Sequence, residues 1–334
     1  MKPSAKQMKR VFFLLAVILA AAVMLLFNWH QNRPTRYIKV ASWNVQTFFD
    51  ATREGTEYKQ FAKSDKWGRE AYEIRLMRLA ACIKAINADV FALQEIENER
   101  VLVDLYNCLS GSWSAKSSWH YAAFAKDPSA PIGVALISRL PIKSLRGHWL
   151  DVRCEGEAMP SMRPIAEVVV ETKQGELTLF LNHWKSKSGG TEQTELWRDW
   201  QESILAQQAV RLLREGRGFL AAGDFNRSVE DFCVLPQGGV LLRGRRQGGF
   251  AGEGVAVASP WFSADGSIAT EGSYFYDEHW ERIDNFFLAG TLHLVSFEVA
   301  RGEWCDDAGV PRRYEVWSGR GYSDHLPIVC CVEL

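Results

Sequence analysis

Eight side chains in this sequence stand where short apolar runs end: Asn44, Glu95, His183, Asp224 with Asn226, Asp284, and Asp324 with His325. Singly they are ordinary. An Asn or Asp after a strand is usually a turn or cap residue, and a lone histidine on a strand edge is usually structural. Together they are four acids, two amides and two imidazoles, rich in oxygen and free of cysteine. That inventory suits a hard divalent cation acting on a phosphoryl group. Mg²⁺ takes one or two carboxylates and leaves its other positions to water and phosphate oxygens.

Such a site needs a rigid scaffold that presents strand ends to one cleft. Residues 37–44 (YIKVASWN) alternate as a strand does, and 89–94 (DVFALQ) form a compact apolar strand before an acidic helix start at Glu97–Glu99. Residues 69–87 place Leu76, Leu79, Ile83 and Ile86 at helical spacing. Strands follow at 133–138, 166–171 and 176–184. A long helix, 191–215, carries Leu196, Trp200, Ile204 and Leu212 on one face and is closed by Gly216 and Gly218. Strands at 219–223, 282–288, 293–299 and 326–332 complete the set. Strands outnumber helices and many neighbours can form hairpins. The expected fold is therefore α/β, with two packed mixed sheets and outer helices, not a doubly wound parallel sheet.

The chain of 334 residues is 47% hydrophobic and 24% charged, the balance of a folded globular protein and not of a disordered or fibrous one. Net charge is −1, but residues 1–36 carry six basic residues and no acid, which leaves the rest at −7. A body of that charge is no general polyanion binder, so any nucleic-acid contact must use local basic patches or bound cations. The seven cysteines show no metal-ligand spacing, which argues against structural zinc. Cys82 belongs to an apolar helix face, and the adjacent Cys330 and Cys331 should point to opposite sides of a strand.

Six segments carry a resemblance to a known family: SWNVQ at 42–46, LQEIEN at 93–98, LNHWKSK at 181–187, GDFN at 223–226, RID at 282–284 and SDHLP at 323–327. In this order they resemble the endonuclease/exonuclease/phosphatase (DNase I-like) superfamily, in motif form nearest its secreted bacterial nucleases. The resemblance implies a four-layer α/β/β/α sandwich with the site at one rim of the paired sheets. It implies that Glu95, with Asn44 and Asp324, holds the metal. It further implies that Asp224 and Asn226 orient the attacking water and the phosphate, that His325 contacts the scissile phosphate, and that Asp284 hydrogen-bonds that histidine. His183 departs from the family's Asn-x-His pattern because Asn182 is its immediate neighbour, and alternation allows only one of the two to face the site. His183 is the expected site residue, as general acid or phosphate contact. Lys185 and, further out, Lys187 are candidate phosphate contacts, with a solvated loop as the equal alternative. Tyr276, in the aromatic segment 274–280, is a candidate substrate contact. Arg243, Arg245 and Arg246 form a basic loop beside Gly248 and Gly249. Solvation is the default there, and a phosphate clamp is the alternative.

Residues 11–27 are 17 uncharged, mostly apolar residues behind four basic ones, about 25 Å as a helix. The expected organisation is a basic cytoplasmic tail (1–10), a signal-anchor or signal peptide (11–29), a linker (30–36) and a phosphodiesterase body (37–334). The excess of basic residues before the run favours an exported body at the cell membrane, or a secreted one if the segment is cleaved. The expected activity is Mg²⁺-dependent phosphodiester hydrolysis, with Mn²⁺ or Ca²⁺ as alternative ions and DNA as the expected substrate. A sphingomyelinase, a phospholipid or inositol-phosphate phosphodiesterase, or an inactive binding domain on the same fold are the competing readings.

Overall fold

The computed structural model describes residues 37–110, 119–151, 159–245, 252–263, 265–268 and 270–334. The tail, apolar run and linker of 1–36, together with Cys154, Arg246, Gly248 and Gly249, lie outside the described residues.

Strand β1 (Tyr37–Phe48) shows how the layers arise. Ile38 and Val40 enter one buried cluster, while Ala41, Trp43 and Val45 enter another, the period-two pattern of a strand covered on both faces. β1 lies inside a six-stranded sheet ordered β15 (His293–Val299), β16 (Ile328–Glu333), β1, β2 (Val90–Ile96), β4 (Gly133–Ser138), β3 (Tyr121–Ala125). A five-stranded sheet runs β14 (Asp284–Ala289), β8 (Phe219–Asp224), β7 (Gly175–His183), β6 (Ile165–Thr172), β5 (Ile142–His148). Each sheet is antiparallel except for one parallel pair, β1–β2 in the first and β7–β8 in the second.

Helices α2 (Arg69–Ile86) and α3 (Glu99–Ser110), preceded by the short α1 (Lys59–Ala62), cover the six-stranded sheet. Leu76, Leu79, Ile83 and Ile86 pack there with Phe91, Leu93 and Ile137. Across the five-stranded sheet, α4 (Thr191–Arg214) contributes Leu205, Ala206, Ala209 and Leu212 to the other cluster. The order helix, sheet, sheet, helix is the expected four-layer sandwich. Cys82 is buried on α2. Cys330 is buried while Cys331 is half-exposed, as alternation requires.

Both parallel pairs are closed by a helix, β1–α2–β2 and β7–α4–β8, and the hydrogen bond from Asn44 of β1 to Asp224 of β8 shows that both end at the same rim. Side chains at the carboxyl ends of such strands meet in the crevice beyond them. The expected strand ends shift in one informative place. β1 runs on to Phe48 and β2 to Ile96, so Glu95 stands inside a strand and not after it. Pairing slips there, between Asn44 and Phe48 and between Gln94 and Ile96, and Gln46, Thr47 and Glu95 take positive φ of 51°, 50° and 69°. An irregularity of this kind re-aims side chains beside a functional site. Three short strands, β9 (Cys233–Val234), β10 (Val240–Leu242) and β11 (Val255–Val257), lie beside α4, and the hairpin β12 (Tyr274–Tyr276) with β13 (His279–Glu281) reaches towards the rim. Among the described residues, no helix is long and apolar enough to cross a membrane.

Candidate active site

Register brings the first group together. Asp224 at the end of β8 is directly opposite His183 of β7 on one side and Asp284 of β14 on the other. From the other sheet, Asn44 reaches across and its Nδ2 donates to Asp224 Oδ2 at 2.9 Å and to Glu95 Oε1 at 3.3 Å. His183 Nε2 lies 3.6 Å from Glu95 Oε1 and 3.7 Å from Asp224 Oδ2. His325 Nδ1 meets Asp284 Oδ2 at 2.8 Å, and its Nε2 lies 4.0 Å from both Asp224 Oδ2 and Asp324 Oδ1. The backbone N–H of Asn226 donates to Asp224 Oδ1 at 2.8 Å, and its Nδ2 donates to Trp184 O at 3.1 Å and Asp224 Oδ2 at 3.2 Å. All eight residues expected from the sequence therefore gather at one rim.

The division of labour between Asn182 and His183 follows alternation. Asn182 turns away, its Nδ2 donating to Phe180 O at 2.9 Å and its Oδ1 accepting from Trp184 Nε1 at 3.0 Å. Gly223 is required beside it: its φ is +143°, and a Cβ would sit 2.0 Å from the Asn182 carbonyl oxygen.

Several supports carry no motif. Arg75 of α2, buried, stacks on the Tyr314 ring at 3.7 Å and donates to the carbonyls of Val45, Gln46 and Thr47. The Thr47 N–H in turn donates to Glu95 Oε2. Arg163 donates to the carbonyls of His183 at 3.0 Å and Trp184 at 2.6 Å, and its charge faces Glu95, Asp224 and the Tyr58 hydroxyl. Ser273 Oγ donates to Asp284 Oδ2 at 2.6 Å, fixing the carboxylate that His325 uses. Arg227, just past Asn226, is 2% exposed and pairs with Asp199 at 2.7 Å, Glu202 at 2.6 Å and Glu195, all on α4. Arg163, too, stands outside every motif of the sequence. For Arg75, Tyr58 and Arg227 no local signal exists.

Burial and the adjoining charge set the protonation states. Burial, reinforced by the Asp324 carboxylate, raises Glu95 above the ordinary carboxylate range. Burial and Asp284 raise Asp224, against the hydrogen bonds it accepts from Asn226 and Asn44 and against His325. Burial, with Arg163 and His325 nearby, holds His183 well below the ordinary imidazole value, so its ring is neutral. Burial also works against charge on His325, but Asp284, Asp224 and Asp324 outweigh it and push the ring up to about 10.

The donors fit a hard cation. Glu95 and Asp324 confront each other, Asn44 adds an amide, and among the described residues no Lys or Arg pairs with Glu95. Asp224, Asp284 and His325 also offer donor atoms within 4.8 Å of one another. There, however, Asp284 Oδ2 already accepts from Ser273 and His325, which makes it a proton-holding pair.

Three expected contacts sit apart. Lys185 Nζ lies 3.4 Å from the carbonyls of Ser186 and Ser188 in its own loop, and Lys187 pairs with Glu281 at 2.6 Å. Tyr276 is 61% exposed and stacks on Tyr274 at 6.2 Å, which lies against the His325 ring at 4.6 Å, so it touches the centre only through Tyr274. In the basic loop, Arg243 pairs with Glu202 at 3.3 Å and Arg245 with Asp199 at 3.5 Å, so these two cations are engaged with α4.

The family model described as "Endonuclease/Exonuclease/phosphatase family" matches residues 39–299. The chain belongs to this family. Solved structures of the family's fold agree over nearly all the body. Truncated TDP2 from Caenorhabditis elegans has TM-score 0.57 and 14% identity, over 89% of this chain and 98% of that one. TDP2 from D. rerio, complexed with a single-strand DNA product, has 0.53 and 16%, over 89% and 99%. The human Nocturnin catalytic domain with bound sulfate has 0.52 and 16%, over 89% and 94%. No curated protein sequence matches the chain. Fold, family and a buried Asp/Asp/His group together make this a hydrolase of the phosphodiester class.

Proposed function

We propose that the protein is a Mg²⁺-dependent nuclease that cleaves DNA by attack of water in line with the leaving oxygen. The observation that carries this is the pairing of His325 with Asp284 at 2.8 Å beside an Asp224 raised by burial. It gives an acid and a base of opposite protonation side by side. Asp224, fixed by Asn226 and Asn44, takes the proton of the water. His325, held as imidazolium by Asp284, donates from Nε2 to a phosphate oxygen. His183, neutral, directs Nε2 to the same space. Glu95, Asn44 and Asp324 would hold the cation, which neutralises phosphate and leaving-group charge when bound. DNA is favoured over lipid by the aromatic pair Tyr274–Tyr276 above His325 and by the single-strand DNA product bound to the D. rerio neighbour. The apolar run 11–27 supports an exported body held at the membrane.

The test is hydrolysis by the full chain in detergent, on plasmid DNA, RNA, sphingomyelin and inositol phosphates, with Mg²⁺ and with EDTA. DNA should be cut with Mg²⁺ only, and Glu95→Gln should lose activity by orders of magnitude at an unchanged melting temperature. Activity in EDTA, an active Glu95→Gln variant, or brisk cleavage of sphingomyelin with intact DNA would overturn the reading. Membrane fractionation tests the anchor, and a soluble mature chain starting near residue 30 would mean a cleaved signal.

A further inference from the structure

Next to the centre, the chain displays an indole on a turn built to hold it still. After Tyr314, the Glu315 N–H donates to Arg320 O at 2.9 Å, the Gly319 N–H to Glu315 O at 2.8 Å, and Ser318 Oγ to Glu315 Oε2 at 2.9 Å. Arg78 of α2 adds a bond to Gly319 O at 2.6 Å. Gln46, two residues from Asn44, is bonded both ways to the Tyr314 backbone at 3.0 and 2.8 Å. Trp317 at the tip of this turn is 71% exposed, the most exposed large apolar side chain among the described residues. A tryptophan held in water by a fixed backbone has no packing role, so its apolar face is free for a partner.

Grooves of about 440 and 550 Å³ flank it, the first lined by Gln46, Lys63 and Arg313, the second by Lys66, Arg78 and Arg320. Together they hold six cationic side chains against three acids, in a body of net charge −7. Arg313 joins the strip to the centre, its Nε 3.9 Å from Asp324 Oδ2. The β12–β13 hairpin, whose Tyr274 lies against the His325 ring, turns instead at two acids, Asp277 and Glu278. The strip that begins at Arg313 is thus the cationic side of the rim.

We propose that the strip from Arg313 past Trp317 to Lys66 and Arg320 holds a single nucleic-acid strand leaving the cleaved phosphodiester, phosphates on the cations and one base on the indole. This rests on the nuclease reading and adds where the substrate lies and in what form. A duplex keeps its bases stacked inside, whereas an unpaired strand offers both faces of each base to an aromatic ring. A single exposed apolar residue flanked by Ser318 and Gly319 is too little for a lipid-inserting element.

The experiment compares kcat and KM of the full chain in detergent on a single-stranded DNA 20-mer, its duplex and bis(4-nitrophenyl) phosphate, which is too small to reach Trp317. For Trp317→Ala the ratio of kcat/KM on the single strand to that on the small diester should fall about tenfold, through KM, the size of one lost base stack. Neutralising Lys66→Gln with Arg320→Gln should flatten the slope of log(kcat/KM) against log salt by about 1.4, roughly 0.7 for each phosphate contact. Equal use of duplex and single strand, or unchanged ratio and slope, overturns the strip and leaves the nuclease reading standing. A parent that hydrolyses the small diester and cuts no nucleic acid overturns both. Phosphatidylserine vesicles that bind the parent but not Trp317→Ala, with 20-mer kinetics unaltered, would assign the surface to a membrane and overturn the proposal.

Discussion

The turn after Asn44 and the turn after Asp224 are each clamped by a buried arginine, yet the two clamps place their counter-charge differently. On the six-stranded side, Arg75 donates to three backbone carbonyls and lies between the rings of Phe48 and Tyr314, with no carboxylate in contact. Burial lowers it to about 10, opposed by the adjoining Tyr314 and, at longer range, by Glu95 and Asp324. It stays charged at neutral pH, and its field is spent on the carboxylates of the site. On the five-stranded side, Arg227 is enclosed by Glu195, Asp199 and Glu202, and those acids raise it against burial. That charge is neutralised locally and does little for the site beyond holding the turn. A cation beside Glu95 and Asp324 serves both geometry and field; one beside the turn after Asp224 serves geometry alone.

The largest expected effect separates the clamps by stability. Arg227→Ala takes the buried cation from Glu195, Asp199 and Glu202 of α4, leaving them only Arg198, Arg245 and Arg243, and should cost about 3–5 kcal/mol in urea unfolding, as breaking a buried pair does. Arg75→Met strands only carbonyls, about 1–3 kcal/mol. Equal losses would mean that Arg75 is balanced by charge after all.

Asp284 and His325 come from opposite sheets, so their bond tests whether the two halves act as one. Each alanine variant should lose roughly 2–4 kcal/mol of transition-state stabilisation on DNA, the range for one preorganised electrostatic contact. The double variant should be hardly worse than the poorer single, and additive losses would show two independent halves.

Arg75 also predicts a smaller effect that Arg227 should lack. With the Thr47 turn loosened, Glu95 is less well aimed, and the Mg²⁺ concentration for half-maximal activity should rise about tenfold in Arg75→Lys. Direct metal titration reads the same shift without turnover. In Arg227→Lys, kcat should fall at an unchanged metal requirement. The reverse pattern would exchange the two roles.

The smallest effect is in pH. Burial works to raise Glu195, but its bonds to Arg198 and Arg227 hold it below its ordinary value of 4.5. Its contribution is therefore complete above that value and fades as pH falls below it. The Arg227 clamp should weaken in acid, while the Arg75 clamp, which has no carboxylate, should not. Urea unfolding at pH 7 and pH 4 should show less acid loss in Glu195→Gln than in the parent, and identical losses would remove Glu195 from the clamp.

Periodicity and chemistry alone specified the strands at 133–138 and 293–299, the buried helix face of 69–87, the layered fold, and all eight polar residues of the rim; the helix over 191–215 is present, but of its expected face only Leu212 is fully buried, and Leu205, Ala206 and Ala209 line the core instead. Each feature so specified depends on neighbours in the chain, because alternation and helical spacing are local and a polar residue after an apolar run is visible as such. The same alternation placed His183 in the site and Asn182 out of it. What remained hidden rests on contacts between residues far apart in sequence. Arg75 finds its carbonyls 28 to 30 residues back, Arg227 its acids 25 to 32 back, and the Gln46–Tyr314 bond spans 268. The extension of β2 through Glu95 was equally hidden, since only the slipped pairing with β1 and β4 turns that residue into a positive-φ position inside a strand. Arg243 and Arg245, adjacent to glycines and legible as a solvated loop, were claimed by Asp199 and Glu202 of α4 for the same reason. A charged side chain declares its type in sequence, but its partner is chosen by whichever opposite charge the packed helices and sheets bring within reach.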